Sequence, residues 1–139
     1  MRHGWLATFL TFALMAFAAA PASAGSRLAL VIGNAKYANA PKLENPANDS
    51  ADLAAALRSV GFEVIAQQDA SRESMTKAVR EFSGRLRGTE VALFFYAGHG
   101  MQMNGENYLI PVDAEISKPS DAKFSGIPLQ PLQRTQLYL

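Results

Sequence analysis

The sequence predicts an α/β domain built on a mainly parallel sheet. Three apolar runs of strand length, Arg27–Ile32, Phe62–Gln67 and Val91–Tyr96, alternate with stretches whose apolar residues recur at helical spacing. Glycine closes both helical stretches, at Gly61 and Gly88. An order of strand, helix, strand, helix, strand favours parallel pairing with right-handed crossovers.

The chain opens on a targeting pattern. Arg2 and His3 form a small basic region, and Leu6–Ala20 is an apolar stretch too short to span a bilayer comfortably. Pro21 breaks it, and Ala22-Ser23-Ala24 supplies the small-residue pattern of a cleavage site. Residues 1–24 are therefore expected to be a signal peptide and residues 25–139 the folded part. The implied destination is outside the cytoplasm, periplasmic or secreted, with no membrane attachment after cleavage.

Arg27–Ile32 is the first strand, ended by Gly33-Asn34. Gly33 belongs to no phosphate-binding glycine pattern. The polar loop Ala35–Asn48 follows at the carboxyl end of that strand, where open α/β sheets bind ligands. Asn34 and Lys42 are the candidate substrate-binding residues on that argument, while a plain connecting loop is equally consistent. Asn48 or Asp49 is expected to cap a helix over about Ser50–Val60, buried through Leu53, Ala54, Leu57 and Val60. After the second strand, Ser71, with Ser74 as the alternative start, caps a helix reaching about Arg87. Its apolar stripe is Met75, Ala78, Val79, Phe82 and Leu86.

Val91–Tyr96 reads as a strand buried on both faces, and it runs into Ala97-Gly98-His99-Gly100. The two glycines permit a sharp turn and leave little bulk around the imidazole. An ordinary solvated turn and a chemically active histidine both fit that local pattern. Beyond it, Asn104-Gly105 between short strand-like runs signals a hairpin, closed by Pro111-Val112-Asp113. Residues 117–128 are polar and bounded by proline, and Leu129–Leu139 is weakly periodic.

Composition narrows the chemistry. The 139 residues suit one domain. Of the 13 Lys and Arg, removal of Arg2 with the signal peptide leaves 12 against 12 Asp and Glu. That balance gives no electrostatic reason to expect nucleic acid as a partner. There is no cysteine, and the two histidines are His3 and His99. Disulfides, thiolate metal sites, multi-histidine metal sites and an internal thiol nucleophile are thereby excluded within the chain. No cofactor is expected.

RLALVIGNAKY, LENPANDSADLAAALRSVGFEV, VALFFYAGHG and NGENYLIPVDA, in that order and spacing, resemble the amino-terminal part of a caspase-like domain. The resemblance covers about residues 27–115. It implies a three-layer fold with a mainly parallel sheet, expected here to be truncated after the third core strand and its hairpin. It also implies a cysteine endopeptidase working through a His–Cys dyad, with a peptide or protein as substrate. His99 matches the family's histidine, and Gly100 matches the residue whose backbone N–H helps form the oxyanion hole.

The sequence departs from that pattern in two places. In caspases the cysteine follows the histidine by about 50 residues, which falls beyond Leu139. Ser117, Ser120, Ser125 and Thr135 are the serine and threonine hydroxyls that follow His99, and none ends a strand-like run. The arginine with which animal caspases hold aspartate is also missing from the loop after the first strand, where Lys42 and Leu43 stand. The expectation is a chain inactive alone, with an open sheet edge that a complementing chain fits. The alternatives are a pseudopeptidase binding module and a doubly wound domain unrelated to proteolysis.

Overall fold

The computed structural model describes residues 25–133. The expected signal peptide with its cleavage site, and Thr135, lie outside that range.

Strand β1 (Arg27–Gly33) is the centre of a parallel three-stranded sheet. It pairs with β2 (Glu63–Gln68) on one side and β3 (Val91–Ala97) on the other. Helix α1 (Pro46–Ser59) joins β1 to β2, and α2 (Arg72–Arg85) joins β2 to β3. Side chains alternate across β1, as the period of a strand requires. Leu28, Leu30 and Ile32 pack with Met75, Ala78 and Phe82 of α2. Ala29 and Val31 pack with Ala54 and Leu57 of α1. The sheet therefore lies between one helix and the other, and these three layers hold the core.

The hairpin follows β3. Strand β4 (Gly100–Met103) pairs antiparallel with β5 (Glu106–Leu109), and the turn residues Asn104 and Gly105 have φ of 50° and 79°. Positive φ at both central residues is the geometry that makes Asn-Gly so strong a hairpin signal. The polar stretch after it forms a 3-10 turn (Pro119–Asp121), a short helix α3 (Ala122–Ser125) and a two-residue strand β6 (Ile127–Pro128). β6 adds to the outside of β5, and α4 (Gln130–Gln133) ends the described range.

Three expectations need correction. Helix α1 begins at Pro46, so Asn48 and Asp49 lie within its first turn instead of capping it. Proline is preorganised for the first helical position and has no N–H to leave unpaired. Asn45 is the N-cap and makes no side-chain capping bond. Val91–Tyr96 is not buried on both faces: Val91 is exposed and the rest of β3 half-buried. Among the described residues β3 pairs only with β1, and its outer edge has no partner strand. Val60, placed in the buried face of the first helix, is 57% exposed at its C-cap. Capping of α2 follows expectation, since the Ser71 hydroxyl accepts from the Ser74 N–H at 3.2 Å.

One close approach depends on glycine. A Cβ on Gly33 would collide with Ser50 Oγ and the Pro46 carbonyl. The bare backbone lets α1 start directly against the end of β1.

Core position should decide mutational cost. Phe82 is fully buried and Phe124 is 76% exposed. Urea melts should show Phe82→Ala losing about 3–5 kcal/mol and Phe124→Ala changing by less than about 0.5 kcal/mol. Equal losses would contradict the assigned core.

Candidate active site

β1 and β3 end level with one another, Gly33 facing Ala97 across the parallel register. The Asn34 N–H extends that pairing by donating to the Ala97 carbonyl at 2.8 Å. His99, two residues beyond β3, thus sits at the same carboxyl edge as Asn34 and the loop after β1. The strand that ends there is an edge strand among those described, and β1 is the central one.

The His99 imidazole is held on two sides. Its Nε2 lies 2.8 Å from the Pro41 carbonyl oxygen. A carbonyl can only accept, so the bond assigns the proton to Nε2 and leaves the Nδ1 lone pair uncommitted in the neutral ring. The ring also rests on Tyr37, with centroids 4.5 Å apart and planes tilted by 52°. The main chain of His99 is held as well. Its N–H donates to the Tyr37 hydroxyl at 2.7 Å, and its carbonyl accepts from Tyr96 Oη at 2.7 Å and from the Ile110 N–H at 3.0 Å.

The bond from Ile110 also orients Gly100. In antiparallel pairs, residues that exchange main-chain bonds alternate with residues that do not. A bond between positions 110 and 99 makes that the bonding position, and Gly100, opposite Leu109, falls in the next one. Its N–H is therefore directed away from β5. Gly98 is obligatory for a different reason. A Cβ there would stand 2.6 Å from both the Tyr37 and the Tyr96 hydroxyl oxygens.

Asn34 does not reach the surface. It is fully buried. Its Oδ1 accepts from the Ala70 N–H at 2.9 Å, and its Nδ2 lies 3.3 Å from the Ile110 carbonyl and 3.4 Å from Met75 Sδ. The substrate-contact role expected of Asn34 is corrected on that ground, since the carboxamide is spent on internal bonds behind the site. Lys42 is exposed, one residue beyond the carbonyl that holds the His99 ring. Asp113 accepts from the Arg72 N–H at 2.8 Å and so occupies the start of α2.

The loop that carries Tyr37 and Pro41 is tied down from β2. Asp69, at φ 48°, accepts from the Ala35 and Lys36 N–H groups, each at 2.9 Å. Partial burial opposes its charge, but the two N–H groups and the nearby Lys36 ammonium outweigh that, holding its pKa below the usual carboxylate value. Sequence reasoning places Tyr37 only in the loop suited to substrate binding and does not single out Pro41, Asp69 or Tyr96. An aromatic residue with a polar tip inside an apolar run was the available signal for Tyr96.

Among the described residues there is no grouping of His, Cys, Asp and Glu able to hold a metal. No helix among them is long and apolar enough to cross a membrane. A surface cleft runs along α2, lined by Arg72, Thr76, Lys77, Arg80 and Asp113 among others, and the His99 cluster takes no part in it.

A family model described as the caspase domain matches residues 26–135. The chain belongs to the caspase domain family. It is 38% identical over 91 residues to the human mucosa-associated lymphoid tissue lymphoma translocation protein 1, and equally to its mouse homologue. That match covers 66% of this chain and only 11% of each relative. The crystal structure of the Drosophila initiator caspase Dronc superposes with a TM-score of 0.59 at 14% identity. It covers 79% of this chain and 42% of that one. The caspase-like α/β fold expected from the sequence is the fold observed.

The tether at Asp69 makes stability depend on pH. A depressed carboxylate pKa contributes stability that is present above the unfolded value and lost as pH falls through the folded one. Asp69→Asn keeps the tolerance for positive φ and removes the charge. Denaturant melts at pH 7 should show it less stable by about 1 kcal/mol. The gap should narrow as pH drops below about 3.9. A gap that persists unchanged in acid would remove the carboxylate from the account.

Proposed function

We propose that this chain carries the histidine half of a cysteine-type endopeptidase site. The observation that carries the reading is the His99 imidazole, oriented by the Pro41 carbonyl so that Nδ1 is the available base, next to the outward N–H of Gly100. The chain has no cysteine, so the thiol comes from outside these 139 residues.

In the proposed reaction, Nδ1 of His99 takes the thiol proton and the sulfur forms a bond to the scissile carbonyl carbon. The Gly100 N–H receives the developing oxyanion, a contribution of roughly 10²–10³ in rate for a donor of this kind. His99 then gives the proton to the leaving amine as the C–N bond breaks. Water, deprotonated by the same nitrogen, releases the acyl group and restores the thiol. Lys42 is assigned to the substrate side, because it is exposed next to Pro41. With no arginine in residues 35–48, selectivity for aspartate is not part of the proposal. Export through residues 1–24 to a periplasmic or secreted location completes it.

A complementing chain has a place to bind. Among the described residues the outer edge of β3 has no partner strand, and such edges recruit strands. The absence of cysteine also favours a second reading, in which the same edge and His99 surface hold a peptide without cleaving it.

Turnover of a peptide library separates the two. The chain alone should show none. Addition of a relative-derived segment carrying the cysteine strand should produce hydrolysis that His99→Ala lowers by at least about 10²–10³-fold, as expected for a lost general base. Hydrolysis by the chain alone, abolished by His99→Ala, would mean that a hydroxyl is the nucleophile. Binding of the segment with no hydrolysis would favour the binding module.

A further inference from the structure

We propose that Tyr37 and Tyr96 are positioning residues whose hydroxyls, acting in series, close a one-way hydrogen-bond circuit from the His99 N–H back to the His99 carbonyl. The direction follows from counting protons. The His99 N–H can only donate, so the Tyr37 oxygen, 2.7 Å away, accepts there. The carbonyls of His99 and Ile110 can only accept, and they lie 2.7 and 3.0 Å from Tyr96 Oη. The single Tyr96 proton is spent on those carbonyls. The 3.2 Å contact between the two hydroxyls is therefore Tyr37 donating to Tyr96. Each phenol gives its one proton and each receives at least one. Nothing in the circuit is left unpaired.

Three features show that the local sequence is built around it. Residue 98 has no side chain, and a Cβ there would stand 2.6 Å from both hydroxyl oxygens. Burial pushes both phenol pKa values up, which keeps the two protons in place at neutral pH. The Tyr37 side chain whose hydroxyl accepts from the His99 main chain also lays its ring against the His99 imidazole. One side chain thus fixes both the turn and the ring that the turn presents. Gly100 follows directly, so the direction of its N–H depends on the same turn. The functional meaning rests on the peptidase reading above, whereas the circuit itself rests on geometry alone.

Amide exchange in the full 139-residue chain, followed by 15N NMR, tests it without any need for turnover. In the unaltered chain the His99 amide should exchange slowly, as the Ile110 amide does, and fast exchange there would overturn the proposal before any substitution is made. Tyr37→Phe should speed the His99 amide by about tenfold, the equivalent of one lost hydrogen bond, with the Leu30 amide of β1 unchanged. Tyr37→Phe combined with Tyr96→Phe should do no more than Tyr37→Phe alone, because groups that act as one unit are not additive. Gly98→Ala, which keeps both tyrosines but forces their hydroxyls apart, should reproduce the effect. A His99 response that merely follows Leu30, or two tyrosine effects that add, would overturn the circuit. None of these readouts changes if the chain proves to have no part in proteolysis, so the two readings fail separately.

Discussion

The buried carboxamide of Asn34 is the contact on which the rest of the site depends. It sits directly after the central strand, in a place without access to water. A polar group so placed costs roughly 1–3 kcal/mol if left unpaired. Here its oxygen takes the N–H of Ala70, at the entry to α2, and its nitrogen reaches the Ile110 carbonyl beyond the hairpin. Its own main-chain N–H reaches Ala97 at the end of β3. One residue therefore joins the ends of β1 and β3, the entry to α2 and the segment after the hairpin. The hydrophobic layers set where the sheet lies, and Asn34 sets how the chain leaves its edge.

What Asn34 does behind the site, two further groups do in front of it. Asp69 gathers the N–H groups of Ala35 and Lys36, and that fixes the loop bearing Tyr37 and Pro41. Pro41 then orients the imidazole, and the tyrosine hydroxyls hold its main chain. Precise placement is what chemistry at a sheet edge needs, because misplacement of a reacting group by about 1 Å can cost 10²-fold in rate.

The layers were legible in the sequence because burial imposes a period. Leu28, Leu30 and Ile32 alternate with Ala29 and Val31, while Met75, Ala78 and Phe82 recur at helical spacing. Asn104-Gly105 was legible for a backbone reason, the positive φ that both residues adopt. The start of α1 was misread because Asn45, Asn48 and Asp49 are all good capping residues, and Pro46 decides among them. Asn34 was misread because an asparagine after a strand looks like a loop residue. Only the tertiary structure shows that segments 36 and 76 residues away close over it. The tyrosine pair is hidden for the same reason, its members lying 59 residues apart. β3 was read as fully buried because its residues are apolar, yet apolar composition does not say whether a neighbouring strand is present.

The proposed function requires His99 to activate a thiol supplied from outside this chain. Alkylation of the cysteine supplied by a relative-derived segment, measured against pH with iodoacetamide, tests it without recourse to any peptide substrate. With His99 present, the reactive thiolate should persist to well below the ordinary cysteine pKa of about 8.5, and His99→Ala should return the profile to that value. Identical profiles with and without His99 would contradict the account.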